Sequence, residues 1–192
     1  MQAARGASLS DADTEVHPTG PTRALRLVFI AVAVILYGAD QLTKALATAH
    51  LTPGEPRNLV GSLLRLDLTR NAGAAFSTGT GYTELFSCLA IVAVLVVLWL
   101  SRRIRSVAWA VAFGLLLAGI AGNLTDRLLR EPGPLRGHVV DFLMLPSWPV
   151  FNVADIAINV AAALILVQVF RGVRLDGTRV ERGTDEPGTP AS

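Results

Sequence analysis

The chain has 192 residues, of which 52% are hydrophobic, and a formal net charge of +2 at pH 7. This length predicts a single domain, the near-neutral charge gives no indication of a nucleic-acid partner, and the lone Cys88 excludes an internal disulfide and a cysteine-based metal site. The mean hydropathy of +0.49 is far above that of a soluble domain, and the apolar residues come in blocks, which indicates several membrane spans.

The first 22 residues are polar and lack the apolar core of a cleavable signal peptide, so we expect a disordered cytoplasmic extension. Four apolar segments of near-spanning length follow, at residues 24–49, 82–100, 107–128 and 150–170. The end of the chain is again polar. We therefore expect an extension at 1–22, a four-helix membrane domain at 23–172 and a flexible cytoplasmic tail at 173–192.

Arginines predict the orientation of the spans, because positively charged residues favour the cytoplasmic side. They gather at one set of span ends: Arg23, Arg26, Arg102, Arg103, Arg105, Arg171 and Arg174. Both termini and the turn between spans two and three are thus predicted to be cytoplasmic. The loops at residues 50–81 and 129–149 then face outward, although five further arginines on that side make the bias incomplete.

The first outward loop has its own pattern. Residues 58–69 partly alternate apolar and polar side chains, which predicts a short strand. Residues 71–77 (NAGAAFS) are small and contain glycine, so the backbone there can approach a ligand closely. In the second outward loop, Trp148 is expected to anchor at the membrane interface. The predicted fold class is an all-α membrane protein with four transmembrane helices and a small extracytoplasmic β-rich element in the first loop.

Four aspartates lie inside or beside these apolar segments: Asp40, Asp126, Asp141 and Asp155. A carboxylate near hydrocarbon is costly unless it is paired, hydrated or neutralised, so its presence indicates function. The predicted topology brings all four to one side of the membrane at similar depth. Two carboxylates that meet in one wet pocket are sufficient for acid–base hydrolysis without a metal or a nucleophilic side chain.

Helical spacing shows which of these aspartates have a basic residue close by. Asp40 and Lys44, the only lysine, are spaced for a local ion pair, and Arg127 directly follows Asp126. Asp155 has no basic neighbour within one helical turn. A purely structural role is also compatible with the positions of Asp40 and Asp126, and an exposed position in a loop is compatible with Asp141.

Other function classes have weaker support in the sequence. The serine-hydrolase motif Gly-x-Ser-x-Gly and the metalloprotease motif His-Glu-x-x-His are both absent. A small proton- or ion-coupled transporter would also place acids in its spans, but near the midplane and within repeats that this chain lacks. That transporter and a non-catalytic membrane scaffold remain the alternatives to a hydrolase.

Five motifs, taken in order, resemble the lipoprotein signal peptidase family, also called signal peptidase II. They are residues 40–44 (DQLTK), 71–76 (NAGAAF), 122–127 (GNLTDR), 139–142 (VVDF) and 151–155 (FNVAD). The resemblance implies a four-span aspartic peptidase of the bacterial inner membrane, with its active site near the outer face. It implies cleavage of diacylglyceryl-modified prolipoproteins just before the lipidated cysteine. It also implies membrane lipid and cyclic-peptide inhibitors as partners, and no metal or cofactor.

The resemblance also implies roles for individual residues. Asp141 and Asp155 correspond to the catalytic dyad of the family. Arg127 is expected to hold its neighbour Asp126 ionised, which suits a structural role for that acid. The full set of expected supporting or substrate-contacting residues is Asp40, Lys44, Asn71, Gly73, Asn123, Asp126, Arg127 and Asn152.

Overall fold

The structure is a computed structural model that describes residues 23–73 and 82–179. Four of its helices are long and apolar enough to cross a membrane, so the predicted fold class is confirmed. In chain order the elements are α1 (Arg23–His50), β1 (Arg57–Val60), β2 (Leu64–Asn71), α2 (Thr83–Ser101), α3 (Val107–Leu129), β3 (Val139–Met144) and α4 (Val153–Phe170).

Helix α3 lies at the centre of the bundle and packs against α1, α2 and α4. Its buried face is rich in small residues, which lets neighbouring backbones come close. At Gly119 a Cβ atom would lie 2.5 Å from the carbonyl oxygen of Ala154 and 2.6 Å from the side chain of Ile158, both on α4. The α3–α4 contact is therefore made directly between backbones, and it fixes how deeply the first turn of α4 enters the bundle.

The three strands form one antiparallel sheet in the order β1-β2-β3. The sequence pattern predicted strand structure only in the first loop, and that placement was incomplete because β3 comes from the second. Thr69 of β2 pairs with Asp141 of β3, and Asn71 pairs with Val139. The run that contains Asp141 has no long alternating pattern of its own, so its strand structure depends on the β2 edge that it joins.

The observed helix limits follow the predicted spans except at the start of α4. We expected this span to begin at residue 150, but the helix begins at Val153. Asn152 caps it, with its side chain accepting from the backbone N–H of Asp155 while the Asp155 carboxylate accepts from the backbone N–H of Asn152. Phe151 is still extended and bridges to Leu143.

The far end of the chain contains a short hairpin, in which Val173 pairs with Arg179. The sequence predicts a flexible tail at residues 173–192. The hairpin covers the first part of that segment, whereas residues 1–22 and 180–192 lie outside the described residues. The three-part division of the chain stays a prediction.

The close contact at Gly119 gives a stability prediction. Gly119→Ala should lower the free energy of unfolding by about 1–3 kcal/mol, because the added methyl meets a backbone carbonyl that cannot move independently. The control is Gly38→Ala on α1, where an added Cβ meets open space, and we expect a gain of about 0.5–1 kcal/mol from reduced backbone entropy. Unfolding in detergent micelles measures both, and equal effects would contradict direct backbone packing.

Candidate active site

A buried cluster of charges joins α1 to α3. The Lys44 Nζ atom lies 2.9 Å from Asp40 Oδ2 and 2.9 Å from Asp126 Oδ2, and these side chains are 0–1% exposed. The ion pair predicted between Asp40 and Lys44 is therefore confirmed. One buried ammonium is thus shared by two carboxylates that would be too costly to bury without a cation beside them.

The expected partner of Asp126 was wrong. Residues next to each other on a helix point in different directions, so Arg127 turns away from the carboxylate that precedes it. Its Nη2 atom donates to the Gly73 carbonyl oxygen at 2.7 Å, and its guanidinium lies over the Phe86 ring. Besides Lys44, Asp126 pairs with Arg130, one turn further along α3, whose Nε lies 2.5 Å from Asp126 Oδ1.

The two buried carboxylates also hold backbone groups of other elements. Asp40 Oδ1 accepts a hydrogen bond of 2.9 Å from the backbone N–H of Ala154, in the first turn of α4. Asp126 Oδ2 accepts one of 3.2 Å from the backbone N–H of Val140, in β3. The charge cluster therefore positions the helix turn that carries Asp155 and the strand that carries Asp141.

Two asparagines connect the charge cluster to the remaining acids. Lys44 Nζ donates to Asn123 Oδ1 at 2.9 Å, and Asn123 Nδ2 donates to Asp155 Oδ1 at 2.9 Å. Asn152 Nδ2 donates to Asp141 Oδ1 at 2.6 Å and also lies 3.1 Å from Asn123 Oδ1. The side-chain amide of each asparagine thus donates to the carboxylate of one of the two acids, and the two amides contact each other.

Asp141 is 3% exposed and is held from both sides. Besides Asn152, its Oδ2 atom accepts from Asn71 Nδ2 at 3.1 Å. The pKa of Asp141 is raised from its ordinary value of 3.8 to about 7. Burial is the largest cause and the negative charge of Asp155 adds to it, whereas the two asparagine hydrogen bonds lower the pKa. The group therefore binds a proton at neutral pH far more readily than an exposed aspartate does.

Asp141 and Asp155 both line one cavity of about 510 Å³. The wall on α4 continues from Asp155 into apolar side chains, which include Ile156 and Val160. Trp148 also lines the cavity and is 61% exposed. The cavity thus joins a polar end, where the acids lie, to an apolar wall on α4.

The structure brings the ten expected site residues into two connected layers. The first layer lines the cavity and contains Asn71, Gly73, Asn123, Arg127, Asp141 and Asp155. The second layer lies behind it and contains Asp40, Lys44, Asp126 and Asn152. Of the expected substrate-binding segment 71–76, residues 74–76 lie outside the described residues.

The sequence pattern also points to two further residues of the site. Arg130 is spaced i+4 from Asp126, which is the ordinary spacing for an ion pair on a helix. Trp148 was expected only as an interface anchor, but it also lines the cavity. The contacts of Val140 and Ala154 use backbone N–H groups, for which side-chain patterns hold no signal.

Comparison with known proteins identifies relatives over most of the chain. The family model described as signal peptidase (SPase) II matches residues 32–171. A lipoprotein signal peptidase of Mycolicibacterium smegmatis is 45% identical over 177 residues, which are 91% of this chain and 75% of that protein. One of Leifsonia xyli subsp. xyli is 47% identical over 154 residues, which are 80% of this chain and 71% of that protein.

Two solved structures share the architecture. Both are described as a bacterial membrane enzyme determined by the in meso method, one at 2.3 Å and one at 1.9 Å resolution. The first has a TM-score of 0.70 and 25% sequence identity, and the match covers 80% of this chain and 92% of that chain. The second has a TM-score of 0.69 and 25% identity, and covers 81% and 98% respectively.

The charge cluster predicts a large cost for removing its cation. Lys44→Met should destabilise the protein by about 3–5 kcal/mol, because it leaves two buried carboxylates without their shared partner. The control is Arg136→Gln, which breaks an exposed ion pair with Glu84 and should cost less than about 1 kcal/mol. Unfolding in detergent micelles measures both. A Lys44→Met variant no less stable than the control would show that the cluster does not hold the fold together.

The pKa of Asp141 predicts how stability depends on pH. Its folded pKa of about 7 lies above the ordinary aspartate value of 3.8, so the folded state binds this proton more tightly than the unfolded chain does. The contribution of this proton to the free energy of unfolding is fully present below the unfolded pKa, and it is lost as pH rises through about 7. Between about pH 4.5 and about pH 8, the free energy of unfolding of the wild type should therefore fall by a few kcal/mol more than that of Asp141→Asn, which lacks this proton.

Asp176→Asn is the control for this measurement. Thr178 donates two hydrogen bonds to Asp176 and holds the pKa of that exposed carboxyl below its usual value. The effect of Asp176 on the pH dependence of stability therefore has the opposite sign to that of Asp141, and it is small. Thermal unfolding across the pH range distinguishes the two variants. Parallel curves for wild type and Asp141→Asn would refute the raised pKa.

Proposed function

The chain belongs to the signal peptidase II family and is therefore a peptidase, and on that premise we propose that it is an aspartic endopeptidase. Its substrates are diacylglyceryl-modified prolipoproteins, and the cut falls just before the lipidated cysteine. Asp141 and Asp155 are the catalytic pair. The observation that carries the proposal is that these two acids share one cavity and are linked to each other through Asn152.

The surroundings of the two acids suit different roles in hydrolysis. Asp155 lies in the first turn of α4, where the positive end of the helix favours an anion, and it accepts from Asn123 Nδ2 and the backbone N–H of Asn152. Asp141, with its pKa raised to about 7, is protonated in a large fraction of molecules at neutral pH. We therefore assign Asp155 as the general base and Asp141 as the general acid.

The reaction then proceeds through a water molecule between the two carboxyl groups. Asp155 takes a proton from the water as the water oxygen attacks the scissile carbonyl carbon. Asp141 donates its proton to the leaving nitrogen as the C–N bond breaks, which yields the free carboxyl end of the signal peptide and the free amine of the lipidated cysteine. Two close carboxylates resist double ionisation, so one proton shared between them is the stable resting charge.

The cavity also fits the amphipathic character of such a substrate. Its polar end would hold the peptide bond, while Ile156 and Val160 would contact the apolar signal peptide or the lipid chains. Among the described residues, α2 and α4 both pack on α3 and are not packed along each other. A substrate helix can therefore reach the acids laterally from the bilayer through the space between α2 and α4.

Arg127 would shape the substrate-binding loop. Its guanidinium holds the Gly73 carbonyl oxygen at 2.7 Å, and the side chain of Asn71 contacts both Asp141 and the backbone N–H of Gly73. The loop backbone is thereby fixed directly beside the proposed general acid. This arrangement supports a role for Asn71 and Gly73 in positioning the substrate backbone.

The orientation proposed for the chain follows its arginines. The candidate site lies where α1 and α3 end and where α2 and α4 begin. The arginine-rich ends lie on the opposite side of the bundle, which is cytoplasmic by the positive-inside rule. We accordingly place both termini in the cytoplasm and the active site at the outer face of the membrane.

Separate Asp141→Asn and Asp155→Asn substitutions test the catalytic pair. Each should reduce cleavage of a purified diacylglyceryl prolipoprotein at least about a thousandfold, because neither the acid nor the base can be replaced by an amide. The matched control, Asp176→Asn, removes an exposed aspartate on the opposite side and should leave cleavage unchanged. Substrate binding and thermal unfolding are measured in parallel to separate lost chemistry from lost folding. Near wild-type cleavage by either dyad variant would refute the assignment.

A further inference from the structure

A second cavity of about 510 Å³ lies at the end of the bundle opposite to the candidate active site. It is bounded by the turn that follows α2, the beginning of α3 and the hairpin that follows α4. The side chains and backbone that matter most for its chemistry belong to Arg103, Trp109, Val169, Arg174, Leu175 and Asp176.

The hairpin wall of this cavity is fixed to α3. Trp109 Nε1 donates to the Val173 carbonyl oxygen at 3.3 Å, and the backbone N–H of Arg105 donates to the Leu175 carbonyl oxygen at 2.9 Å. Val173 and Leu175 also pack against the core cluster that contains Trp109 and Ile104. The cavity is therefore formed before any ligand binds, and its walls need little ordering on binding.

The cavity has an excess of positive charge. Two arginines, Arg103 and Arg174, line it together with one carboxylate, Asp176. The Oδ1 atom of Asp176 accepts from both the backbone N–H and the hydroxyl of Thr178. In the part of the chain that the structure describes, neither Arg103 nor Arg174 forms a salt bridge, although Arg103 lies 4.6 Å over the Trp99 ring. Both guanidiniums thus keep N–H donors for an anion.

The position of the cavity indicates which anion reaches it. It lies where α2 ends at Ser101 and α4 ends at Phe170, so it is at the level where the apolar helices meet water. Val169 and Phe170 are 59% and 79% exposed beside it, and Trp99 is 52% exposed. Exposed tryptophan at this level is typical of a membrane interface. A ligand here has a charged group at the arginines and apolar chains along the helix ends.

We propose that this cavity binds the phosphate group of an anionic phospholipid in the leaflet opposite to the active site. The guanidiniums of Arg103 and Arg174 would donate to the phosphate oxygens, in the fork geometry that arginine offers to phosphate. The first methylenes of the acyl chains would lie on Val169 and Leu175. Inorganic phosphate offers the same oxygens without the chains, and the test separates these two sources.

The test measures lipid retained by the full chain. Wild-type protein and the double variant Arg103→Gln/Arg174→Gln would be reconstituted in nanodiscs of equal parts phosphatidylglycerol and phosphatidylcholine. Lipid that stays bound after transfer to detergent would then be counted by native mass spectrometry. We expect the double variant to retain about tenfold less phosphatidylglycerol, with no change in phosphatidylcholine.

Two further variants make the result specific. Arg23→Gln/Arg26→Gln removes the same charge from the beginning of α1, on the same side of the protein but not from this cavity, and it should retain phosphatidylglycerol as the wild type does. Asp176→Asn keeps an acceptor for Thr178 while it removes the one carboxylate at the cavity, and it should increase retention by about twofold to threefold. Equal losses in the two double variants, or a decrease in Asp176→Asn, would overturn the proposal.

The source of the phosphate is decided by competition. Inorganic phosphate at millimolar concentration would be added to the detergent sample before mass spectrometry. If phosphatidylglycerol stays bound, the acyl chains contribute to binding and the lipid assignment is supported. If inorganic phosphate displaces it, the cavity is a site for soluble phosphate and the lipid assignment fails.

Discussion

The contact of Lys44 with Asp40 and Asp126 is the interaction on which the rest of the site depends. One buried ammonium lies 2.9 Å from each carboxylate, and each carboxylate also holds a backbone N–H group, at Ala154 and Val140 respectively. A charge cluster in an apolar bundle is stable only when every member is paired. The same pairing therefore fixes the first turn of α4 and the course of β3, which carry the two proposed catalytic acids.

Close backbone packing around α3 also supports this arrangement. At Gly122 a Cβ atom would lie 2.5 Å from Asp40 Oδ2, and at Gly119 it would meet the backbone of α4. Helices in a bilayer gain little from burying apolar side chains against each other, so short distances between backbones and interhelical hydrogen bonds take that role. Small residues on α3 thus make room for the charges, and the charges in turn hold the helices at that distance.

The two asparagines connect the buried charges around Lys44 to the reacting acids through neutral groups. Asn123 receives a hydrogen bond from Lys44 and donates one to Asp155, and Asn152 donates to Asp141. An amide transmits position without bringing a formal charge close to the acid. The pKa of Asp141 therefore stays raised although the charge of Lys44 acts to lower it, and a raised pKa is what a carboxyl group needs to act as a proton donor at neutral pH.

The sequence by itself determined the four spans, the ion pair of Asp40 with Lys44 and the set of polar motifs, because hydrophobic length and helical spacing are local properties. The tertiary structure alone decided that β3 joins β2 at Asp141, that Asp126 pairs with Lys44 and Arg130 while Arg127 holds Gly73, and that α4 begins at Val153. These features depend on contacts between residues that are distant in the chain, or on which way neighbouring side chains of one helix point. Many of them also use backbone N–H and carbonyl groups, which every residue carries and which side-chain patterns therefore do not distinguish.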